Sequence, residues 1–164
     1  MVREVEEVGE NRYREVYGRL YEDFSVGDVY EHRPRRTVTA VDNAWFTMLT
    51  MNTHPLHFDQ VYAKGTEFGE PLVNSTLTLA IVTGMSVSDV SHRAVANLGW
   101  GEIELLNPVF HGDTLSAETE VLAKRESDSR PDDGIVTVRT TGFKQTGEPV
   151  IEFERTILVP RRDA

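Results

Sequence analysis

The sequence predicts an α+β fold in which one antiparallel sheet covers a central helix. Two observations lead to this prediction. In the second half of the chain, apolar residues occupy every second position, which is typical of strands with one buried and one wet face. In the first half the apolar spacing is helical, and within residues 69–90 it extends around most of a helix. Helices followed by a run of strands indicate an α+β domain.

The composition indicates one globular domain and excludes several functions. The 164 residues are enough for a single core. The formal net charge is −10, from 27 acidic and 17 basic residues, which disfavours a nucleic-acid partner. Cysteine is absent, so disulfides and thiolate catalysis are excluded. No apolar run is long enough to span a membrane, and the start lacks the apolar core of a signal peptide. We therefore expect a cytoplasmic protein.

The chain divides into an N-terminal extension, residues 1–20, and a domain, residues 21–160. The extension is rich in charge but carries an apolar stripe at helical spacing, formed by Tyr13, Val16, Tyr17 and Leu20. It is expected to be either a helix or a frayed extension. Within the domain, Gly27 is expected to supply a tight bend. Residues 29–39, which contain Pro34 and many charges, are expected to form an edge strand.

Residues 41–51 are predicted to form the first helix of the domain. Thr39 or Asp42 is expected to cap its start. The helix should end early in the next segment, since Pro55 disfavours helical backbone at the residue before it. Its large apolar side chains are expected to face the core, namely Trp45, Phe46, Met48 and Leu49.

The turn after this helix is expected to bring two polar side chains together. Asn52 lies five residues before His57, with Pro55 between them. Across a turn these two side chains can converge, whereas a straight helix would separate them.

The central helix is predicted within residues 69–90. Asn74 and Ser75 are suitable residues to cap its start. The apolar residues lie on nearly all sides of it, so we expect the helix to be buried on most sides; they are Leu77, Leu79, Ala80, Ile81, Val82, Met85 and Val87. A polar turn followed by a buried helix, whose unpaired amide end can face a ligand, is the predicted core of a functional site.

Four strands are predicted downstream, at residues 103–105, 115–124, 136–140 and 151–159. Turn signals at residues 111–113 and 145–148 separate the later strands. Residues 126–134 are too polar to pack and are expected to form an exposed hairpin tip.

Three ordered motifs give the chain a resemblance to a known family. They read N-T-H-P-L-H-F-D at residues 52–59, T-E-F-G-E-P-L-V-N-S at residues 66–75 and P-V-F-H-G-D-T-L at residues 108–115. With them the chain resembles the MaoC-like dehydratases, the (R)-specific enoyl-CoA hydratases of the hotdog fold, over residues 21–159. The stretches DNAWFTMLTMNTHPLHFD, ANLGW and SRPDDGIVTV are most similar to the mesaconyl-CoA (2-methylfumaryl-CoA) hydratase branch.

The resemblance implies a hotdog homodimer, or a higher homo-oligomer, with two sheets joined edge to edge and an acyl-CoA in a tunnel between subunits. It implies no metal and no cofactor beyond the CoA thioester substrate. The catalytic His of the family falls on His57, its catalytic Asp on Asn52, and its intervening Asn on His54. The backbone amide that holds the oxyanion falls near Ser75, where the family often has His-Gly.

Hydration of an enoyl thioester requires a base for water, a proton for C2 and donors for the thioester oxygen. His57 is the predicted base, because a neutral imidazole accepts a proton at working pH. The amides of Ser75 and Thr76, at the positive end of the helix dipole, are the predicted oxyanion donors. Asn74 is a further candidate for substrate contact, and its alternative role is capping alone. His54 lines the pocket or is only a turn residue.

Asn52 leaves the proton donor open, because an amide cannot act as an acid. In one explanation His57 moves the proton from water to C2 itself while Asn52 orients the water, and this is the one we favour. In another, a different acid such as Asp42, His54 or Asp59 reaches the site. In the third, the chain binds acyl-CoA without catalysis.

Two rival functions share the predicted scaffold. A hotdog thioesterase would use a carboxylate on the central helix, and residues 77–84 contain none. A non-catalytic acyl-CoA-binding protein is favoured only by Asn52 in place of the family Asp. The sequence therefore predicts an acyl-CoA hydro-lyase, with these two alternatives behind it.

Overall fold

A computed structural model describes residues 5–162. The helices are α1 (Ala40–Leu49), α2 (Gln60–Lys64) and α3 (Ser75–Ser86). Before α1 lie four short strands, β1 (Val5–Gly9), β2 (Arg12–Glu15), β3 (Val29–Glu31) and β4 (Arg36–Thr37). After α3 come four long strands, β5 (Ala96–Leu105), β6 (Thr114–Glu126), β7 (Asp133–Phe143) and β8 (Pro149–Pro160).

The long strands form one antiparallel sheet with the order β3-β6-β7-β8-β5, and β4 also pairs with β6. Burial alternates along β7 and β6, as the two-residue period predicted. The α+β class and the four downstream strands are confirmed. A sheet of this kind curved around one central helix is the arrangement that the resemblance to the hotdog fold implies.

The core lies between α3 and the concave face of the sheet. Leu77 and Val82 of α3 pack with Leu115, Ala117 and Phe153 of the strands. Gly142 of β7 allows this close approach, because a Cβ there would lie 2.6 Å from Cγ2 of Val82. Helix α3 therefore packs directly against the strands of the sheet.

The prediction that α3 is buried on most sides is wrong for the single chain. Its buried residues are Leu77, Thr78, Ile81, Val82 and Ser86. Ala80 and Gly84 on the opposite side are exposed, because the sheet covers one face and no other described part of the chain covers the second. An open groove of about 700 Å³ follows that second face.

Helix α1 begins as predicted but faces a different way. The Thr39 hydroxyl caps it by accepting a hydrogen bond from the Asp42 amide at 3.3 Å, and the Asp42 carboxylate accepts one from the Thr39 amide at 2.9 Å. The expected inward orientation of Trp45, Met48 and Leu49 is wrong, since these side chains are 67%, 80% and 77% exposed, while Phe46 is partly buried. The buried residues of α1 are the polar Asn43 and Thr47.

The helical prediction for the N-terminal extension is also wrong for the residues that the structure describes. Residues 5–15 form the hairpin β1–β2, with Val5 opposite Glu15. Asn11 takes a positive φ of 54° in the connecting turn, a conformation that Asn tolerates. The local turn therefore overrides the apolar spacing of Tyr13, Val16 and Tyr17. Residues 1–4 lie outside the described part of the chain.

The remaining expectations for the loops are met with small differences. The edge strand of residues 29–39 is broken into β3 and β4, and Pro34 between them follows a cis peptide bond. The hairpin tip before β7 is exposed, except that Ser127 and Asp133 are buried at its base. No helix within residues 5–162 is long and apolar enough to cross a membrane.

A buried polar network joins the start of the sheet to the end of α3. The His32 ring is fully enclosed, with Nδ1 2.9 Å from Asp89 Oδ2 and Nε2 2.7 Å from the hydroxyl of Thr119. Thr119 in turn lies 2.8 Å from the hydroxyl of Thr140. A carboxylate only accepts, so Nδ1 of His32 carries the proton and Nε2 accepts from Thr119. Burial lowers the pKa of His32, although Asp89 opposes the shift.

This network predicts that the protein loses stability in mild acid. Because the pKa of His32 is lower in the folded than in the unfolded state, the unfolded state takes up the proton first. The contribution of His32 to the free energy of unfolding is therefore fully present above about pH 6.5. It is lost as the pH falls through the pKa of His32 in the folded state. Urea unfolding at about pH 7.5 and about pH 5.5 measures the loss.

His32→Gln is the matched comparison, because all other groups, including His111, remain. Its free energy of unfolding should fall less between the two pH values than that of the wild type. An equal fall in both proteins would contradict the assignment to His32.

Candidate active site

The turn after α1 is built by local backbone hydrogen bonds. Met51 takes a positive φ of 56°, and the amides of Met51 and Asn52 donate to the carbonyls of Met48 and Thr47. This is a Schellman ending, and it stops the helix at Leu49, before Pro55 could do so. Oδ1 of Asn52 then accepts from the His54 amide at 3.2 Å.

His57 ends a single helical turn, Pro55–His57, and is held in a defined orientation. Its Nδ1 lies 2.9 Å from the carbonyl oxygen of Leu72. A carbonyl only accepts, so Nδ1 donates, and in the neutral ring Nε2 keeps its lone pair. The amide of Leu72 also donates to the carbonyl of Leu56 at 3.2 Å. These bonds fasten the imidazole to the segment that leads into α3.

The start of α3 presents two donors without a partner. Asn74 caps the helix, and its Oδ1 accepts from the amide of Thr76 at 3.0 Å and from the Thr76 hydroxyl at 2.6 Å. Nδ2 of Asn74 is buried and has no partner among residues 5–162. The Ser75 amide, on an exposed residue, donates to no acceptor in the same range. The Thr76 amide already donates to the cap, and Thr76 as an oxyanion donor stays a prediction.

The structure leaves Asn52 and His54 on the turn beside His57. His54 accepts at Nδ1 from the amide of Leu56 at 3.2 Å, and its ring centroid lies 6.0 Å from that of His57. The same ring meets Tyr62 edge to face at 5.9 Å. Both residues have structural roles in the turn, and the ring of His54 lies near the imidazole of His57.

Sequence reasoning missed Asn43 and His111. Asn43 is fully buried in α1, and its side chain reaches His57, Leu72, His111 and Asn74. The sequence carried a signal for Asn43, because an Asn among the apolar residues of a helix is unfavourable unless its side-chain amide is hydrogen-bonded. His111 belonged to a quoted motif and had no predicted role. Burial lowers the pKa of His111, which favours its neutral ring.

The groove along α3 is lined by residues of that helix from Leu77 to Met85. Leu77, Ile81 and Met85 supply an apolar floor. Arg33 and Arg36 lie on one wall of the groove, and Arg36 pairs with Asp42.

The hydrogen bonds from Thr39 and, after them, Arg36 lower the pKa of Asp42, so Asp42 is a carboxylate and not an acid at neutral pH. Within residues 5–162 no three His, Asp or Glu side chains are grouped to hold a metal ion.

The chain is similar to enzymes that act on CoA thioesters. A family model described as mesaconyl-CoA hydratase matches residues 6–164. The mesaconyl-CoA hydratase of Cereibacter sphaeroides is 37% identical over 146 residues, which make up 89% of this chain and 42% of that protein. The (R)-specific enoyl-CoA hydratase of Aeromonas caviae is 31% identical over 121 residues, or 74% of this chain and 86% of that protein.

A solved structure is similar along its whole length. The MaoC-like dehydratase from Rhodospirillum rubrum is 33% identical, with a TM-score of 0.79, and the match covers 88% of this chain and 99% of that chain. By contrast, this chain spans about two fifths of the length of the mesaconyl-CoA hydratases that it matches.

The capping role of Asn74 can be tested by the stability of the protein. Asn74→Ala should lower the free energy of unfolding by about 1 kcal/mol, because the Thr76 amide loses its acceptor. Asn74→Ser should keep most of the stability, since a serine hydroxyl also accepts at this position. Urea unfolding measures both variants, and an alanine variant as stable as the wild type would contradict the capping role.

Proposed function

Because the chain belongs to the mesaconyl-CoA hydratase family of MaoC-like proteins, we propose that it is a hydro-lyase acting on an enoyl-CoA thioester. The substrate class is a trans-2-enoyl-CoA such as mesaconyl-CoA, with no cofactor beyond the thioester. One observation carries the proposal. An imidazole with a fixed Nδ1–H, and with no partner at Nε2 among residues 5–162, is joined through Leu72 to the segment before a helix end that has unpaired donors in the same range.

In the proposed reaction His57 is the general base. Its Nε2 accepts a proton from water as the oxygen of that water bonds to C3 of the enoyl group. The Nδ1–H···O=C bond to Leu72 fixes the ring orientation and stabilises the imidazolium that forms. No step needs a metal, since the water is activated by the ring.

The start of α3 is the proposed site for the thioester oxygen. As C3 is attacked, electron density moves through C2 to that oxygen, which becomes enolate-like. The Ser75 amide, the positive end of the α3 dipole and Nδ2 of Asn74 are available to stabilise it. Such donors typically contribute about 3 kcal/mol to the transition state.

The proton for C2 is proposed to come from His57 itself. After taking the proton from water, the imidazolium can return it to C2 on the same face, which completes addition of H and OH across the double bond. Asn52, on the same turn, is proposed to orient the water. Asp42 is a poor alternative acid, because its lowered pKa leaves it ionised.

A homodimer is also proposed. β5 lies at one end of the sheet order, so one of its edges is unpaired within the described chain. Several of its large apolar side chains are exposed, including Leu98, Trp100, Ile103 and Leu105. Pairing of two such edges would continue the sheet and cover these side chains. A location in the cytoplasm stays a prediction of the sequence.

An assay on purified protein separates the proposed function from its rivals. Mesaconyl-CoA or crotonyl-CoA should lose its enoyl ultraviolet absorbance without release of free thiol. Thiol release would indicate a thioesterase. Binding with neither signal would indicate a non-catalytic acyl-CoA-binding protein, the alternative that Asn52 favours.

His57→Ala should lower kcat by at least about 100-fold, because the base is removed. The far-ultraviolet circular dichroism should be unchanged, since the ring is not part of the buried core. Asn52→Asp should keep similar or higher activity, as a carboxylate can also orient water. Wild-type turnover by His57→Ala would remove this residue from the mechanism.

The dimer can be tested at the β5 edge. Leu98→Lys combined with Ile103→Lys places two charges on it and should yield monomers in sedimentation experiments. Val26→Lys, also at an exposed apolar residue but in a loop, is the matched control and should leave the mass unchanged. A double variant with the wild-type mass would contradict the edge-to-edge arrangement.

A further inference from the structure

We propose that Asn43 is the positioning residue that sets the distance between the base and the oxyanion donors, an inference that rests on the proposed hydratase function. Asn43 lies inside α1 and is 0% exposed. Its side-chain amide bonds to three separate segments of the chain and not to its own helix. Two of these segments carry the proposed reactive groups.

The side-chain nitrogen of Asn43 donates to two backbone oxygens that position His57. It lies 2.8 Å from the carbonyl oxygen of His57 and 3.0 Å from the carbonyl oxygen of Leu72. The Leu72 oxygen is also the acceptor for Nδ1 of His57. Asn43 therefore holds both the backbone of the base and the group that orients its ring.

The amide oxygen of Asn43 fixes the start of α3. It accepts from the Asn74 amide at 2.9 Å. Asn74 is the capping residue, it carries the unpartnered Nδ2, and the Ser75 amide follows directly. One planar side chain thus joins the base to the donors that would hold the thioester oxygen.

The backbone partners of Asn43 keep its side-chain amide in one orientation. Nε2 of His111 also lies 3.0 Å from Nδ2 of Asn43, so three acceptors share the two protons of this nitrogen. If the amide were reversed, its oxygen would face the carbonyl oxygens of His57 and Leu72, and its nitrogen would face the Asn74 amide. Both contacts would be repulsive, so only one orientation satisfies the four partners.

Asn43→Asp is the sharpest test of this role. It keeps the size of the side chain and the acceptor for Asn74, but it removes both protons and sets a carboxylate oxygen against two carbonyl oxygens. We expect kcat to fall about 100-fold, the loss typical of a reacting group displaced by about 1 Å. KM should change by less than about threefold, because Asn43 does not line the groove along α3.

A second measurement reports the orientation of His57 directly. Nitrogen-15 NMR of the neutral imidazole should show the Nδ1–H tautomer in the wild type and a mixture of tautomers in Asn43→Asp. A residue that only stabilised the fold would leave the tautomer unchanged in the folded variant.

Asn107→Asp is the matched control. Nδ2 of Asn107 donates to the carbonyl of Pro149 at 2.7 Å, so the same donor to a backbone oxygen is lost away from the site. This variant should lose stability but keep kcat and the His57 tautomer.

The outcomes separate the two proposals. If the wild type is active and Asn43→Asp keeps its kcat and its tautomer, the positioning role is overturned. If the wild type hydrates neither thioester, the proposed function fails, and the tautomer measurement still decides whether Asn43 orients His57. If Asn43→Asp does not fold, Asn43→Ser, which avoids a buried charge, takes its place with the same expected losses.

Discussion

The carbonyl oxygen of Leu72 is the acceptor on which the geometry of the site depends. It takes a hydrogen bond from the ring of His57 and another from the amide of Asn43. Leu72 lies two residues before the cap of α3, so these bonds tie a turn near the start of the domain to the central helix. Without the ring bond the backbone contact between Leu56 and Leu72 would remain, but the imidazole would lose the acceptor that sets its orientation.

The same region shows how buried polar groups can be retained at low cost. Both polar atoms of the Asn43 amide are bonded, and a buried amide bonded in this way is nearly neutral for stability, whereas an unpaired one is costly. Asn74 is different, because its Oδ1 is used by the cap while Nδ2 stays buried without a partner among residues 5–162. An unsatisfied donor persists more readily where a ligand or water can bond to it. Nδ2 of Asn74 and the Ser75 amide are thus two donors at the start of α3 without a partner among residues 5–162.

The one-sided packing of α3 explains the open groove and the exposed apolar side chains. One sheet can cover one face of a helix, so the second face needs another layer. Large apolar side chains are also exposed on α1 and on β5. The groove therefore follows the face of α3 that the sheet does not cover. Its apolar floor lies on α3, and its arginines lie on the β3–β4 segment.

The sequence by itself determined the α+β class, the presence of the four downstream strands and the cap at Asn74, and it supplied His57 as the candidate base, because these follow from period, capping chemistry and a short motif. It could not determine which way α1 faces, since a helix with apolar residues on its outer side and a buried Asn43 contradicts local expectation. It could not find the hairpin of residues 5–15, where a turn at Asn11 prevails over spacing. Only the tertiary structure decided that Asn43, His57, Leu72 and Asn74 meet, because hydrogen bonds between residues up to 31 positions apart depend on how whole segments pack and leave no local pattern.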